Sequence, residues 1–407
     1  MAGLTMTTAD AVLKEDYLPG IREQLNNDTF LAFAEKNSES VSGRRAVLAL
    51  HVSRSSGIGA RADNAPLPTA GAQGYTDQYV PVFRNYGRLQ VSGQTIKAMV
   101  SDQTSFIRAV RGEMDGLTND LRNSISRQIF GTSDGVIADT GVTSNSTTVV
   151  MNGTLTQMRS FYVGQTIDIG VPPAYASVAA GLTITGITLP AMNAKGGTLT
   201  VSSAVTTTVS DVVSATGSGG SGAAQVEVTG LQSIVSATGT VFGVNPTTYP
   251  IWASYVDSNG GVLRSITEQS FTRAQMAAHI AGGANIDVWV CSDGVQRAYA
   301  NLLIGLKRFT NTVDLKGGYQ GLTADAQGVG QAPVTWDRYC PSNTAYGLRT
   351  TNYIEFMESD WEWMDNDGAV LSRVPGYDAY EATLFKYCEF ATDKRNAHAA
   401  VTDITES

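Results

Sequence analysis

The chain has 407 residues, of which 42% are hydrophobic and 16% are charged, and its formal net charge is −9 at pH 7. This length is sufficient for two or three packed domains. Tight binding of duplex DNA depends on Lys and Arg that neutralise phosphates, so the acidic balance argues against a protein that reads DNA sequence. The three cysteines are widely spaced and odd in number, which argues against a disulfide framework and indicates a reducing compartment.

The first 45 residues predict an N-terminal arm rather than a domain. They contain two short helical patterns and no basic region followed by an apolar run, so we expect no signal peptide. No apolar run in the chain approaches the length that spans a membrane.

Residues 44–97 predict a basic two-stranded β-ribbon. Residues 46–53 and 79–96 have the composition of strands, and the Gly-, Pro- and Ala-rich stretch between them predicts a turn-rich tip. Basic residues outnumber acidic ones here, with Arg44, Arg45, Arg54, Arg61, Arg84, Arg88 and Lys97 against Asp63 and Asp77. Because an isolated ribbon is marginally stable in water, we expect it to dock on an acidic surface of a neighbouring subunit.

Residues 102–130 predict one long amphipathic helix. Its apolar residues recur every three or four positions, at Phe106, Val110, Met114, Leu117, Leu121, Ile125 and Ile129. This spacing places them on one stripe, and the helix would be about 40–45 Å long at 1.5 Å per residue. Gly131 suits the left-handed position after a helix end. An ordinary core helix of an enzyme is the simpler interpretation of this stripe taken alone.

Residues 141–240 predict a small β-barrel or β-sandwich. Charged residues almost vanish, and short runs rich in Thr, Val, Ser and Gly alternate with turn residues. The flanking segments return to a mixed pattern, so we interpret this region as an inserted domain. Residues 217–222 formally match a dinucleotide-binding fingerprint, but they precede a strand instead of joining a strand to a helix, which excludes that function.

The last third of the chain contains strands, two predicted helices and an acidic cluster. Six acidic residues lie close together with no Lys or Arg among them: Glu355, Glu358, Asp360, Glu362, Asp365 and Asp367. Residues 355–374 predict a hairpin that turns at 366–368, with Trp361 and Trp363 on one face. We expect the cluster to be the docking surface for the basic ribbon, although a solvated acidic hairpin is the simpler interpretation.

The motifs of common enzymes are missing from this sequence. His51, His279 and His398 lie in different segments without metal-ligand spacing, and we expect each to be a surface or edge residue. There is no nucleophile elbow, no phosphate-binding loop of the Walker type and no Cys–His signature. The sequence therefore predicts a protein that is not an enzyme and that binds no cofactor or metal.

Two stretches carry a resemblance to a known family. One is VPVFRNYGRLQVSGQTIKAMVSD leading into SFIRAVRGEMDGLTNDLRNSISRQIFGTSDGVIA, and the other comprises PVTWDRYCPSNTAYGLRT and YEATLFKYCEFATDKRNAHAAVTDI near the end. An extended loop that runs into a long helix with a Gly-rich end, followed by late closing strands, resembles the HK97-fold major capsid proteins of tailed bacteriophages. The resemblance covers about three quarters of the chain and rests on the order of parts.

The resemblance implies an α+β fold with named parts. They are an N-terminal arm (1–45), an extended loop or E-loop (46–97), the spine helix and the start of the P domain (98–140), an inserted β domain (141–240), an A domain (241–335), and the remaining P-domain strands with the return to the A domain (336–407). The implied function is a shell of hexamers and pentamers around packaged double-stranded DNA, without sequence-specific DNA binding. The implied location is the virion, after assembly in the bacterial cytoplasm.

The resemblance also bears on partners and on covalent chemistry. A separate scaffolding protein, a portal and decoration proteins are possible partners, and no membrane is expected. Some members of the family join a Lys of the extended loop to an Asn of a neighbour. Residues 46–96 contain no Lys, so the sequence predicts a shell held together without covalent cross-links.

Three other functions remain open from the sequence, one of them an enzyme whose site has no recognisable motif. An encapsulin-type compartment would enclose protein cargo instead of DNA. A β-rich surface or adhesin protein would account for the region rich in Thr, Ser and Gly, but the absence of an export signal argues against it.

Overall fold

The computed structural model describes residues 38–94, 103–172, 175–218, 226–283, 285–305, 313–315, 319–326, 330–365 and 370–407. Its strands are β1 (Ser38–Ser40), β2 (Arg45–Ser53), β3 (Gly74–Pro81), β4 (Phe83–Ser92), β5 (Val136–Asp139), β6 (Thr143–Val150), β7 (Thr166–Val171), β8 (Ala176–Thr188), β9 (Thr198–Thr207), β10 (Val212–Ala215), β11 (Tyr255–Asp257), β12 (Val288–Cys291), β13 (Val313–Leu315), β14 (Tyr319–Ala326), β15 (Gly330–Trp336), β16 (Ala345–Leu348), β17 (Tyr353–Trp363), β18 (Ser372–Arg373), β19 (Ala379–Thr392) and β20 (Ala399–Val401). Its helices are α1 (Gln103–Ile129), α2 (Leu155–Arg159), α3 (Leu231–Ile234), α4 (Glu268–Gly282) and α5 (Asp293–Gly305). The fold is α+β and rich in strands.

The predicted long helix is confirmed as α1. Leu121, Ile125 and Ile129 are buried in the main core, and Met114 and Leu117 are half-buried. The side chains of Phe106 and Val110 lie outside those that the structure describes. Gly131 was predicted to be left-handed and is not, because the helix closes with short bonds from Phe130 N–H to the Arg127 carbonyl and from Gly131 N–H to the Gln128 carbonyl.

The C-terminal half of α1 packs beside a sheet built on the long strand β19. Strand β4 pairs with one edge of β19, and β17 and β18 pair with the other edge. The short strand β1 adds to β17 in parallel. Leu117 of the helix packs against Gly87 of β4, where a β-carbon would lie 3.1 Å from the leucine side chain. The helix and this sheet contribute to the main hydrophobic core, to which α3, β12 and β16 also contribute.

Residues 136–215 form a six-stranded sheet in the order β5-β10-β7-β8-β9-β6. An isolated bridge joins Thr140 and Met151, the residues directly after the outermost strands β5 and β6, so the ends of the sheet approach each other as in a barrel. Its interior holds a separate hydrophobic core that includes Ile167, Ile184 and Leu199. Buried and more exposed residues alternate along much of β7 and β9, as in strands with one face against a core.

The third unit is a seven-stranded sheet in the order β11-β20-β16-β12-β15-β14-β13, with α4 and α5 packed on it. Trp289, Phe271 and Tyr299 form an aromatic cluster between the sheet and the helices. The last strand of the chain, β20, lies inside this sheet, so the unit contains segments from two distant parts of the sequence.

Two predicted strand arrangements were wrong. The strand predicted over 79–96 is divided, since β3 ends at Pro81 and β4 begins at Phe83. Proline has no N–H to continue a ladder, and the chain passes there from the ribbon into the sheet of β19. The predicted acidic hairpin does not form, because β17 pairs with β19 and the residues after β17 add only the two-residue strand β18 to the same partner.

Candidate assembly surfaces

The ribbon of β2 and β3 has one face against its own chain and one face in solvent. On the inner face, Val80 is fully buried, and Leu50 packs with Val244 and Trp252. Gln78 Nε2 donates to the Thr392 carbonyl over 2.9 Å. The sequence had predicted an arm without support of its own, and that prediction was wrong for the base of the ribbon.

The outer face of the ribbon carries aromatic and cationic side chains. The Arg45 guanidinium lies 4.2 Å from the centre of the Tyr79 ring, and the rings of His51 and Tyr75 are 5.3 Å apart. Val47 and Tyr75 are more than half exposed. Such a face can pack against an apolar or acidic partner without moving the strands.

The tip of the ribbon, residues 54–73, exposes two apolar side chains. Ile58 and Leu67 are 80% and 85% exposed, which is unusual for residues of this size. Arg61 stabilises the conformation of the tip, since its side chain donates hydrogen bonds to the carbonyls of Pro66 and Ala60. Arg54 is also exposed. The tip therefore presents apolar and cationic groups together.

Arg84 and Arg88 do not belong to the ribbon, contrary to the prediction. Both lie on the exposed face of β4, inside the sheet of β19. Arg88 forms an ion pair with Glu381 of the same chain. Arg84 lies 5.8 Å from the ring of Tyr387, whose hydroxyl is 3.2 Å from that of Tyr86. These arginines are part of an aromatic patch on the sheet.

The acidic cluster divides into one buried and several exposed residues. Glu355 is fully buried and pairs with Lys386 Nζ at 2.9 Å, so its predicted role as an exposed docking residue was wrong. Glu358, Asp360, Glu362 and Asp365 are exposed, and Asp367 lies outside the described residues. Trp361 and Trp363 share the less exposed face of β17, as predicted.

Trp361 of the acidic strand lies between Lys386 of β19 and the helix α1. Its ammonium group lies 3.3 Å from Asp360 and 4.9 Å from the centre of the Trp361 ring. Arg122 of α1 lies 5.4 Å from the same ring. Partial burial acts to raise the pKa of Asp360, but the Trp361 N–H and the nearby cations Lys386 and Arg122 lower it below its usual value. Asp360 is therefore a carboxylate.

The exposed half of β17 is an open strand edge. Strand β1 pairs only with residues 355–357, and no other described strand covers the remainder of that edge. Glu358, Asp360 and Glu362 occur along this half. Charged side chains on an edge strand oppose unspecific pairing with other chains, and they also favour a basic partner.

His398 is fully buried, so its predicted surface position was wrong. It accepts a hydrogen bond from the Arg349 N–H and lies 3.0 Å from the Thr392 hydroxyl, and burial lowers its pKa to about 4. His51 and His279 are exposed, as expected. No group of three possible metal ligands occurs in the described part of the chain. No described helix is long and apolar enough to cross a membrane.

Comparison with known proteins shows a match of structure without a match of sequence. No protein-family model matches the chain, and no curated protein matches it. A chain of the cyanophage A-1(L) capsid asymmetric unit aligns over 99% of this chain and 100% of its own, with a TM-score of 0.62 and 14% identity. The chain has a phage-capsid fold. The likeness to phage capsid proteins that the sequence predicted is thereby confirmed at the level of the fold.

Two further solved structures share this fold. A chain of the holo-SrpI encapsulin complex from Synechococcus elongatus PCC 7942 aligns over 100% of this chain and 97% of its own, with a TM-score of 0.50 and 8% identity. A protein of Mycobacterium phage Bobi aligns over the full length of both chains, with a TM-score of 0.50 and 9% identity. The same fold thus occurs in a phage and in an encapsulin.

Proposed function

We propose that this chain is the major capsid protein of a tailed bacteriophage. Copies assemble into hexamers and pentamers, and these form an icosahedral shell around packaged double-stranded DNA. The observation that carries the proposal is the match to the cyanophage A-1(L) capsid chain over the whole of both chains. The six-stranded unit at 136–215 lies within the predicted insertion (141–240) for most of its length, and this insertion stabilises the subunit or its contacts, or projects from the shell.

An encapsulin-type compartment is the second candidate, and the SrpI match favours it. The two functions differ in their contents, since a phage shell protects DNA and an encapsulin encloses protein. Particles purified from cells that produce them can be treated with nuclease and then opened. Protected double-stranded DNA of uniform length supports the capsid, whereas a single co-purified protein without nucleic acid supports the encapsulin.

Adjacent subunits meet, in this proposal, through the ribbon tip and the exposed acidic half of β17. Arg54, Arg61 and the apolar pair Ile58 and Leu67 of one subunit lie against Glu358, Asp360 and Glu362 of the next. An arginine fork binds a carboxylate at two points, although an exposed pair contributes only about 0–1 kcal/mol. Repetition of the contact around a closed lattice multiplies this small contribution.

The shell is held together without covalent bonds between subunits. The ribbon and its tip contain arginine and no lysine, and an arginine cannot form the amide that a lysine forms with asparagine. Particles heated in SDS should therefore release single chains of 43.0 kDa. A ladder of covalent multimers would contradict this part of the proposal. Scaffolding, portal and decoration proteins are the remaining proposed partners.

A further inference from the structure

The loop between β8 and β9, residues 189–197, reaches from the six-stranded unit to Glu406. Asn193 lies at the turn of this loop with a left-handed backbone, at φ +61°. Its Nδ2 donates a hydrogen bond to the Glu406 carbonyl over 2.8 Å, and its Oδ1 accepts one from the Glu406 N–H over 2.7 Å. Asn343 Nδ2 donates to the same Oδ1 over 3.0 Å. The Asn193 amide therefore binds both main-chain polar groups of one distant residue.

Residues 402–407 follow β20, and we call them the closing segment. Ile404 is buried in the core of the seven-stranded unit. The Ile404 N–H donates to the Asn343 carbonyl, and the Thr405 N–H donates to the Arg264 carbonyl. Both acceptors lie in loops of the seven-stranded unit, so the closing segment belongs to that unit.

The Glu406 side chain is buried beside the start of α5. Its Oε1 accepts hydrogen bonds from the Ser292 hydroxyl and, over 2.9 Å, from the Asn343 N–H. A β-carbon on Gly294, in the first turn of α5, would lie 2.5 Å from the β-carbon of Glu406. Because this side chain is fixed, the Glu406 main chain has a defined position for the Asn193 amide.

The helix α2 makes a second contact between the two units. The Thr156 N–H donates to the Ser342 hydroxyl over 3.3 Å, and the two hydroxyls are 2.9 Å apart. Arg159 lies 3.6 Å from Asp293 in a partly exposed ion pair, which contributes little. The hydrophobic cores of the two units are separate clusters. Hydrogen bonds depend on direction, so the polar contacts described here fix the orientation of one unit against the other.

We propose that the Asn193–Glu406 contact holds the six-stranded unit and the seven-stranded unit together as one body. This goes beyond shell formation, because the contact lies within a single chain. Among the roles proposed for the insertion, it selects stabilisation of the subunit itself. A six-stranded unit held in this way does not swing independently of the seven-stranded unit.

Asparagine suits this position for two reasons. It tolerates the left-handed backbone better than most residues, and its amide carries a donor and an acceptor side by side. Asn193→Gly keeps the backbone conformation and removes both hydrogen bonds to Glu406. Glycine is therefore the substitution that tests the contact without straining the turn.

Hydrogen exchange of the unassembled wild-type chain gives a first test that needs no variant. Peptides that cover 191–197 and 403–407 are followed at low concentrations of denaturant. If the contact makes one body of the two units, both segments should open with the same constant and the same dependence on denaturant. Different opening constants for the two segments would contradict the proposal.

Variants of the full chain give the second test. In Asn193→Gly the closing segment should open about tenfold more often, as expected for the loss of two hydrogen bonds. Coupling is reciprocal, so Glu406→Ala, a change in the seven-stranded unit, should increase opening of 191–197. The Ala194 and Gly196 N–H groups report this, because their hydrogen bonds lie within the six-stranded unit.

Asn145→Gly is the matched control. Asn145 is an exposed residue of the six-stranded unit with a φ of +42°, and its N–H bonds the Thr206 hydroxyl of the same unit. This change should leave the opening of the closing segment as in the wild type.

Three results with the variants would overturn the proposal. One is an unchanged closing segment in Asn193→Gly, and another is an equal increase in Asn145→Gly. The third is an increase of the same size in peptides of α1, which would show general destabilisation. All of these measurements use the unassembled chain, so they are independent of whether the protein forms a shell.

Discussion

Four buried ionisable side chains, of which Lys386 and Arg395 are charged at neutral pH, lie close together in the sequence. Lys386, Glu389, Arg395 and His398 are each fully buried, and they lie on β19 or in the turn that follows it. Each has a hydrogen-bond or ion-pair partner from another segment. Buried charge contributes little net stability, but a wrong packing would leave it unpaired, so these residues select one arrangement of the units.

Arg395 should be the most sensitive of these positions. Arg395→Met removes the donor of four backbone carbonyls, and we expect a loss of about 3–5 kcal/mol in the free energy of unfolding. Arg395→Lys keeps the charge with fewer donors and should lose less. Arg373→Met, at an exposed position, is the control and should change stability by less than about 0.5 kcal/mol. Denaturant unfolding of the unassembled chain measures all three, and equal midpoints for Arg395→Met and the wild type would contradict the account.

These residues could not be identified from the sequence. Lys, Arg and His are usually exposed. An alternating pattern of residues does not reveal that Lys386 of β19 forms an ion pair with Glu355 of the neighbouring strand β17. Their partners lie far apart in the chain, as with Glu389 and Thr229. The acidic residues were visible as a cluster, but the burial of Glu355 depends on pairing between β17 and β19, which the sequence did not reveal.

Among the elements, the helix α1 was the most predictable because its apolar stripe has a strict helical period and a clear end. The two-stranded ribbon and the β-structure predicted over 141–240 were also visible, the latter from short runs rich in Thr, Val, Ser and Gly between turn residues. Strand partners were not, since β4 and β17 both pair with a strand late in the chain. Local patterns indicate that a strand exists, whereas its neighbour depends on contacts between distant residues.

The end of α1 leaves no space for a larger side chain at Gly230, in the segment 227–239 that packs against it. Gly230→Ala would place a β-carbon against the carbonyls of Gln128 and Gly131, so we expect a loss of stability of about 2 kcal/mol or more. Gly116→Ala, within α1, is the matched control, because nothing lies within 4 Å of the β-carbon that it adds. That change should stabilise by about 0.5–1 kcal/mol through helix propensity. Thermal unfolding distinguishes the two, and equal effects would contradict the close packing.

The ribbon tip should act on assembly and not on folding. Changing Arg54 to Glu reverses an exposed charge of the tip, which in the proposed contact faces Glu358 and Asp360 of a neighbour, so particle yield should fall, most strongly at low salt where repulsion is least screened. Arg373→Glu makes the same charge change at an exposed position outside the ribbon and should leave the yield unchanged. Sedimentation of assembled particles gives the yield. An equal loss of yield in both variants would contradict a role of the tip in the contact between subunits.

At the scale of the whole molecule, the four sheets of the described residues and α1 form a fold that aligns with a phage capsid chain and an encapsulin chain over nearly the full length of each. The order of parts in the sequence was sufficient to predict this fold. The position of residues 227–239, which connect the six-stranded sheet to the seven-stranded sheet, was not predictable from the sequence. These residues have no periodic pattern, and side chains of β19 and of the turn after it bind their backbone. The fold thus follows from the sequence more directly than the contacts that fix its internal geometry.

Electron microscopy of the purified full-length chain, with and without a scaffolding partner and over a range of salt and concentration, is the most direct test of shell formation. The account predicts closed icosahedral particles in which fivefold and sixfold clusters of the subunit can be counted. A uniform monomer or small oligomer under every condition would contradict it.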